Sequence, residues 1–523
     1  MNLHILDYLV IAAYFATTIG IGIYCSRKNT DTEEYFLGGR SFPGWAIALS
    51  LVGTTMSSVT FIGHPADTFK TTMIRLVPGL AMPLVVIVSA YLFLPFFRKG
   101  TISSAYEYLK LRYSASVSCY AATLFFLLQL IRVASILFLI SLVIQSVTGL
   151  DYVLCMIVAG GVTALYTGAG GFGAVIWTDV FQTIVLISGA FIIVAIAAYS
   201  TEGGFLSLLE TAQAGHKLSF SADLNTDTGA IEPLAKGFSL SERTMTMLFI
   251  IGIVQFLTNQ FDQTNVQRWC SAKSAKEARK AILILGIIAV PIWYSFKFVG
   301  AILWAFFQKM PDPIATEILN GTRKAEEIIP YYIVEYIPAG IAGVLISGAL
   351  AAAMSSLSSS INSASMVWVN DIYQPYIAKQ QSDQHYLRVG FIAAGVISLF
   401  MIIGAYWFYV ADNKTFNDIG LILISVFGGG LLAVYLVGIF SRLADARAIW
   451  IAIAGNAAFT GYLLLSTRGI IPVDYTLKID IYYAALCGNT ITLLLALVIG
   501  YFLRPKQDLK NLTVWDQDDK PLV

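Results

Sequence analysis

Residues 351–363 read AAAMSSLSSSINS and follow the apolar run IAGVLISGAL. Ser355, Ser356, Ser358, Ser359, Ser360 and Ser363 thus crowd a segment whose length and content belong in a membrane. At roughly 100° per residue on a helix, Ala352, Ser355, Ser356 and Ser359 share one face and Ser358 flanks it. Such a column offers oxygen ligands to a hard cation, with backbone carbonyls to complete the shell wherever a partner helix opens. The same small residues would equally let two membrane helices pack closely. The stretch alone leaves both readings open, and a partner carboxylate would decide between them.

The surrounding composition settles the solvent. The chain is 57% hydrophobic and 12% charged, half the charged content of about 25% usual in soluble domains, so it is an integral membrane protein. A net charge of +1 and four histidines give no basic excess for nucleic acid and no zinc-like spacing. Cys25, Cys119, Cys155, Cys270 and Cys487 are scattered singly, so no disulfide is expected. The first apolar run, residues 8–24, is followed by Ser26, Arg27 and Lys28 and not by a small-residue cleavage site; it reads as a retained helix.

Runs able to cross about 30 Å of hydrocarbon begin near Asp7, Trp45, Met73, Ser118, Tyr152, Val175, Thr246, Ile282, Ile337, Val389, Leu421, Ile449 and Tyr482. The predicted fold is therefore all-α, with about thirteen transmembrane helices. Arg27, Lys28 and Arg40 follow the first, Arg98, Lys99, Lys110 and Arg112 the third, and Arg268, Lys273, Lys276, Arg279 and Lys280 the seventh. By the positive-inside rule the N-terminus lies outside and the C-terminus inside the cytoplasmic (inner) membrane. Residues 200–243 fall outside, and the charged tail 505–523 reads as a loosely ordered cytoplasmic end.

Two spans are damaged as membrane helices. Residues 50–67 carry Gly53, Thr54, Thr55, Ser57, Ser58, Thr60, His64 and Pro65, and residues 253–268 carry Gln255, Thr258, Asn259, Gln260, Asp262 and Gln263. Irregular backbone at membrane depth survives only around a cavity or within protein, and paired interruptions in two halves point to a transporter site. The two spans lie five helices apart. That spacing predicts two five-helix units, 44–199 and an inverted 245–441, with one extra N-terminal helix (6–26) and two C-terminal helices (446–504) in a single domain, 1–504. Two ionisable residues then fall inside the membrane. Asp179 sits in the sixth span and Arg132 near the middle of the fourth. Each is expensive there; Asp179 either snorkels to the boundary or meets a cation, and the Arg132 fork suits either an anionic solute or an internal acid.

Five ordered segments carry a family resemblance: EEYFLGGRSFPGWAIALSL (33–51), ISSAYEYLKLRY (102–113), GAVIWTDVFQ (173–182), DQTNVQRWCSAKS (262–274) and AAAMSSLSSSINS (351–363). They resemble the signature segments of the sodium:solute symporter family. The resemblance implies the inverted-repeat, five-plus-five architecture of leucine-type transporters. It implies a first sodium ion at Gly53, Met56, Ala352, Ser355 and Ser356, and a second at Asp179, Ser355, Ser358 and Ser359. Ser355 serves both, which makes it the expected coupling residue. Gly53 stands where alanine is commoner, a change of little account for a carbonyl ligand. The segments 53–61 and 131–136 are similar to those of bacterial sialic acid members, which implies substrate contacts from Thr55, Ser57, Thr60 and Arg132, joined by Gln255, Thr258 and Asn259 on the seventh span. The sugar-binding residues of other members are not matched. Where the sialic acid branch has an aromatic residue and a glutamine, this chain has Arg75 and Gly79, and monocarboxylate members share several of the same segments. The expectation is a sodium-coupled symporter for a small anionic solute, two sodium ions per turnover, with a monomer sufficient and no enzymatic activity; a sodium-linked solute sensor is the other class.

Overall fold

A computed structural model of the chain describes residues 3–98, 102, 104–225, 230–410, 430–467, 469–472, 476–477, 479, 483–503, 509 and 512–516. It is all-helical apart from one short antiparallel hairpin, Ala222–Leu224 with Ile231–Pro233. Among the described residues nine helices are long and apolar enough to cross a membrane, or eleven if each of two bent pairs is one span. The difference from the expected thirteen has two sources. The predicted fifth and sixth spans run together as Tyr152–Tyr199, a stretch of 48 residues interrupted at Gly171. There φ is 59° and ψ −157°, a conformation closed to residues with a Cβ. The predicted eleventh span begins at Leu421, outside the described residues, and its described part is Leu431–Phe440.

The helix ends follow local chemistry. Ser114, Asp151, Ser274 and Thr244 each accept a hydrogen bond from the first turn of the helix they open, satisfying donors that have no intrahelical partner. Asp7, on the N-terminal helix Ile5–Ser26, does this across the fold. Its Oδ1 accepts from the amides of Gly340 and Gly343 at 2.7 and 2.8 Å, so the extra helix caps the serine-rich helix Ile341–Val367. That helix is buried along nearly its whole length. It packs against Tyr152–Tyr199, Ala115–Thr148 and the N-terminal helix, which puts the serines at the centre of the molecule.

The two interrupted spans are bent. Gly44–Thr55 meets Val59–Lys70 at 64°, and Met245–Gln260 meets Gln263–Ser271 at 56°. The start of the first bent pair is tied to the end of the second: the Phe42 carbonyl accepts from Lys273 N, Phe42 N donates to the Ser271 carbonyl, and Gly44 N donates to Glu277 Oε2. Within residues 200–243 lie the helix Gly204–Ala214 and the hairpin. The expectation of a loosely ordered tail changes. Part of the tail is docked: Val514 N donates to the Ile439 carbonyl, Tyr108 Oη to the Leu512 carbonyl, and Arg442 pairs with Asp516 at 2.7 Å.

Candidate ion and solute site

The first break leaves carbonyls without helical partners. Met56 is extended (φ −90°, ψ 117°). Ser57 N turns to Thr60 Oγ1 at 3.4 Å and not back to Gly53, while Thr60 N takes the Ser57 carbonyl at 2.8 Å and not that of Met56. Among the described residues no backbone donor reaches the Gly53 or Met56 carbonyl, and a helix interior leaves no such group free. The serine-rich helix closes on this break: Ser356 Oγ donates to the Thr54 carbonyl at 3.4 Å. A Cβ at Gly53 would stand 3.0 Å from Ser355 Oγ and 2.5 Å from Thr183 Oγ1. The glycine thus carries a steric requirement that a carbonyl-ligand role alone does not impose.

The second predicted ion site is built around a different cation. Asp179 is fully buried, and its Oδ2 lies 2.7 Å from Arg268 Nη2, itself fully buried. Ser355 Oγ donates to Asp179 Oδ1 at 2.6 Å, and Ser50 donates to Oδ2. The guanidinium is engaged at all three nitrogens: Nε donates to Ser50 Oγ at 2.8 Å, Nη1 to the Thr264 carbonyl at 2.8 Å, and Nη2, besides Asp179, has Thr54 Oγ1 at 2.5 Å and Ser359 Oγ at 2.6 Å as acceptors. Asp179, Ser355 and Ser359 therefore meet around Arg268. Ser358 turns away, its hydroxyl donating to the Ser355 carbonyl at 3.1 Å. Asp179 does not snorkel to the boundary, and Arg268 is no loop cation. Ser50, Thr54 and Arg268 were not among the expected ligands. Ser50 and Thr54, one turn apart on the face that carries Ile47 and Leu51, could have been found from helical spacing; nothing in DQTNVQRWCSAKS marks Arg268 as turned inward.

Among the described residues no group of three or more His, Cys, Asp or Glu side chains converges on a metal site. Oxygens of hydroxyls and carbonyls with a single carboxylate are what this centre offers, a set suited to a weakly held hard cation.

The residues expected to touch solute divide into two groups. Thr55, Ser57 and Thr60 surround the first break, Thr55 Oγ1 donating to the Leu51 carbonyl at 2.6 Å. Arg132 is half-buried in mid-helix and makes no ion pair with any described residue, but it is near enough for its charge to act on Arg268. Gln255 and Asn259 are exposed and Thr258 is half-buried on Met245–Gln260, and no hydrogen bond joins them to the first group. Arg75 is largely exposed and pairs with Asp67 at 2.9 Å. The space beside Gly79 is filled by Trp293, whose Cε3 would stand 3.1 Å from a Cβ there, and whose ring stacks on Phe256 at 5.4 Å. At the end bearing Arg40, Arg98 and Lys110, a cavity of about 840 Å³ is lined by those cations with Glu33, Glu107 and Asp371.

A buried acid–base pair at the crossing of two broken helices and a serine-rich helix is the architecture of an ion-coupled membrane carrier. The family model described as the sodium:solute symporter family matches residues 35–455, and the chain belongs to that family. It is a multi-pass membrane protein whose co-transported ion is sodium. It is 27% identical over 514 residues to the sodium/sialic acid symporter SiaT of Proteus mirabilis, covering 97% of this chain and 98% of that one. It is 32% identical over 382 residues to the sodium-coupled monocarboxylate transporter 2 of Bos taurus, covering 71% of this chain and 58% of the relative. Among solved structures it is similar to a Na+-coupled sialic acid symporter in a substrate-bound outward-open state, with TM-score 0.84, 26% identity and coverage of 96% and 99%.

Proposed function

We propose that the chain imports a small organic acid together with two sodium ions by alternating access, using thirteen helices arranged as two inverted five-helix repeats, 44–199 and 245–441. Two observations carry this: the guanidinium of Arg132 meets no carboxylate among the described residues, and the break leaves the Gly53 and Met56 carbonyls without a backbone donor. An arginine at membrane depth without a carboxylate is costly, and a solute carboxylate would supply the partner in bidentate form. The first sodium joins the Gly53 and Met56 carbonyls to Ala352, Ser355 and Ser356, holding the break against the serine-rich helix. The second takes Asp179 with Ser355 and Ser359, and Ser358 after a rotamer change. Arg268 must leave Asp179 for that, so guanidinium and sodium alternate on one carboxylate. Substrate and sodium then tighten each other reciprocally.

Sialic acid is the best-supported solute, since SiaT, which aligns with this chain along nearly its whole length, is named for it. A second reading, a smaller monocarboxylate, is favoured by one observation: Trp293 occupies the space beside Gly79, where a polar side chain would otherwise meet a hydroxylated tail. The N-terminus lies outside and the cavity at Arg40 and Arg98 faces the cytoplasm.

The test is uptake of radiolabelled N-acetylneuraminate and of lactate into proteoliposomes under a sodium gradient. Two sodium ions with one monoanion move a net charge of +1, worth about 2.3 kcal/mol per 100 mV, so an inside-negative potential should accelerate uptake. Binding without uptake would identify a sensor, and uptake indifferent to voltage would exclude the two-to-one stoichiometry.

A further inference from the structure

One buried polar group near the centre has no role in the arrangement above. On the helix Ala115–Thr148, Ser118, Ala122, Phe125, Gln129, Arg132 and Ile136 fall within about 40° of one line along the axis, at roughly 100° per residue. All are buried except the half-buried Arg132. Ser118 at the inner end lines the 840 Å³ cavity. Gln129 is only 3% exposed, and its Oε1 has no hydrogen-bond partner. Buried side-chain acceptors are paired in native proteins, and an exception calls for an explanation. One turn further out, Arg132 offers donors only, and they meet no carboxylate among the described residues. A donor-only group and an acceptor without a partner therefore stand one turn apart on one helix face.

A single solute satisfies both if it carries a carboxylate for Arg132 and a hydroxyl or amide N–H for Gln129 Oε1. We propose that Gln129 is a specificity-determining residue that selects hydroxylated or N-acylated acids over plain aliphatic acids. The proposal rests on Arg132 being the carboxylate anchor. Discrimination of this kind is strong, because a site built to accept a hydrogen bond is left unpaired by an analogue lacking the donor.

The experiment compares initial uptake of radiolabelled lactate, N-acetylneuraminate and propionate into proteoliposomes containing wild type, Gln129→Met, Gln129→Leu or Arg132→Ala. Lactate and propionate differ only by the hydroxyl. Sodium-dependent thermal stabilisation of each purified variant reports that it is folded. Wild type should take up lactate or N-acetylneuraminate at least tenfold faster than propionate at equal low concentration. Both Gln129 variants should lose that preference through slower uptake of the donor-bearing acid, with propionate uptake unchanged, and Arg132→Ala should lose all three. An unchanged ratio in a folded Gln129 variant, or an equal fall for propionate, overturns the role of Gln129 while leaving Arg132 intact. Wild-type acid uptake by Arg132→Ala overturns the anchor, and the proposal with it.

Discussion

Replacing Arg268 by glutamine removes the resident cation from the centre while keeping a side chain that can still donate to Ser50 or Thr54. Asp179 would be left with the hydroxyls of Ser355 and Ser50. Removing one partner of a fully buried pair costs about 3–5 kcal/mol, because the remaining charge is uncompensated, and the pair here is buried on both sides. In sodium-free buffer Arg268→Gln should be destabilised by that amount. Sodium can then occupy Asp179 without displacing anything. Ligand binding to the folded state at a hundred times its dissociation constant returns about 2.7 kcal/mol, more than half the loss. In wild type the same ion must first compete with the guanidinium, so its stabilisation should be smaller. Any contribution from the first ion site is common to both proteins and cancels in the comparison. The assay is thermal unfolding of purified protein in detergent, in sodium chloride and in choline chloride at equal ionic strength. The argument is refuted if Arg268→Gln matches wild type in choline, or if sodium raises the midpoint of both proteins equally.

Gly53→Ala should cost about 1–3 kcal/mol, the usual range for overpacking, because the new Cβ would stand 2.5 Å from Thr183 Oγ1; it should also raise the sodium concentration for half-maximal uptake, and an unaltered sodium curve would show that the break does not hold the ion. Arg132→Ala is expected to weaken binding of an acidic solute by about 2–5 kcal/mol without loss of sodium-dependent stabilisation, measured by calorimetry with the best transported acid. Asp7→Ala leaves the Gly340 and Gly343 amides without their acceptor and should lower stability by about 1–3 kcal/mol; a midpoint equal to wild type would mean that another group caps the serine-rich helix. Ser356→Ala should weaken sodium activation of uptake, since its hydroxyl holds the Thr54 carbonyl at the break.

Much of the fold was legible because a membrane helix announces itself by length and hydropathy, and because broken helices must carry polar residues. Gly53, Thr55 and Ser57 stood out in an apolar run for that reason, and the free carbonyls lie where those residues predicted a break. Asp179 was legible as a charge in the wrong solvent. Its partner was not: Arg268 follows a span and precedes Lys273 and Lys276, so it reads like one more cytoplasmic cation, and only the 56° bend turns it inward. The tail misled for a related reason. Charge and a terminal position suggest loose order, yet Trp515 and Val514 find backbone acceptors at the end of Leu431–Phe440, a contact that no local pattern encodes. The stretch Tyr152–Tyr199 breaks at Gly171, between the two spans read from the sequence as beginning near Tyr152 and Val175, and the break needs a glycine but no polar residue.

The ion pair at the centre bears on the part of the cycle that moves no cargo. A symporter has to reset empty, and a bare carboxylate in the middle of the membrane would make that stroke slow or oblige it to borrow a proton. With Arg268 resting on Asp179 at 2.7 Å, the unloaded protein is already neutral there. The return stroke should then run without proton movement at this carboxylate and keep its rate between pH 6 and 8.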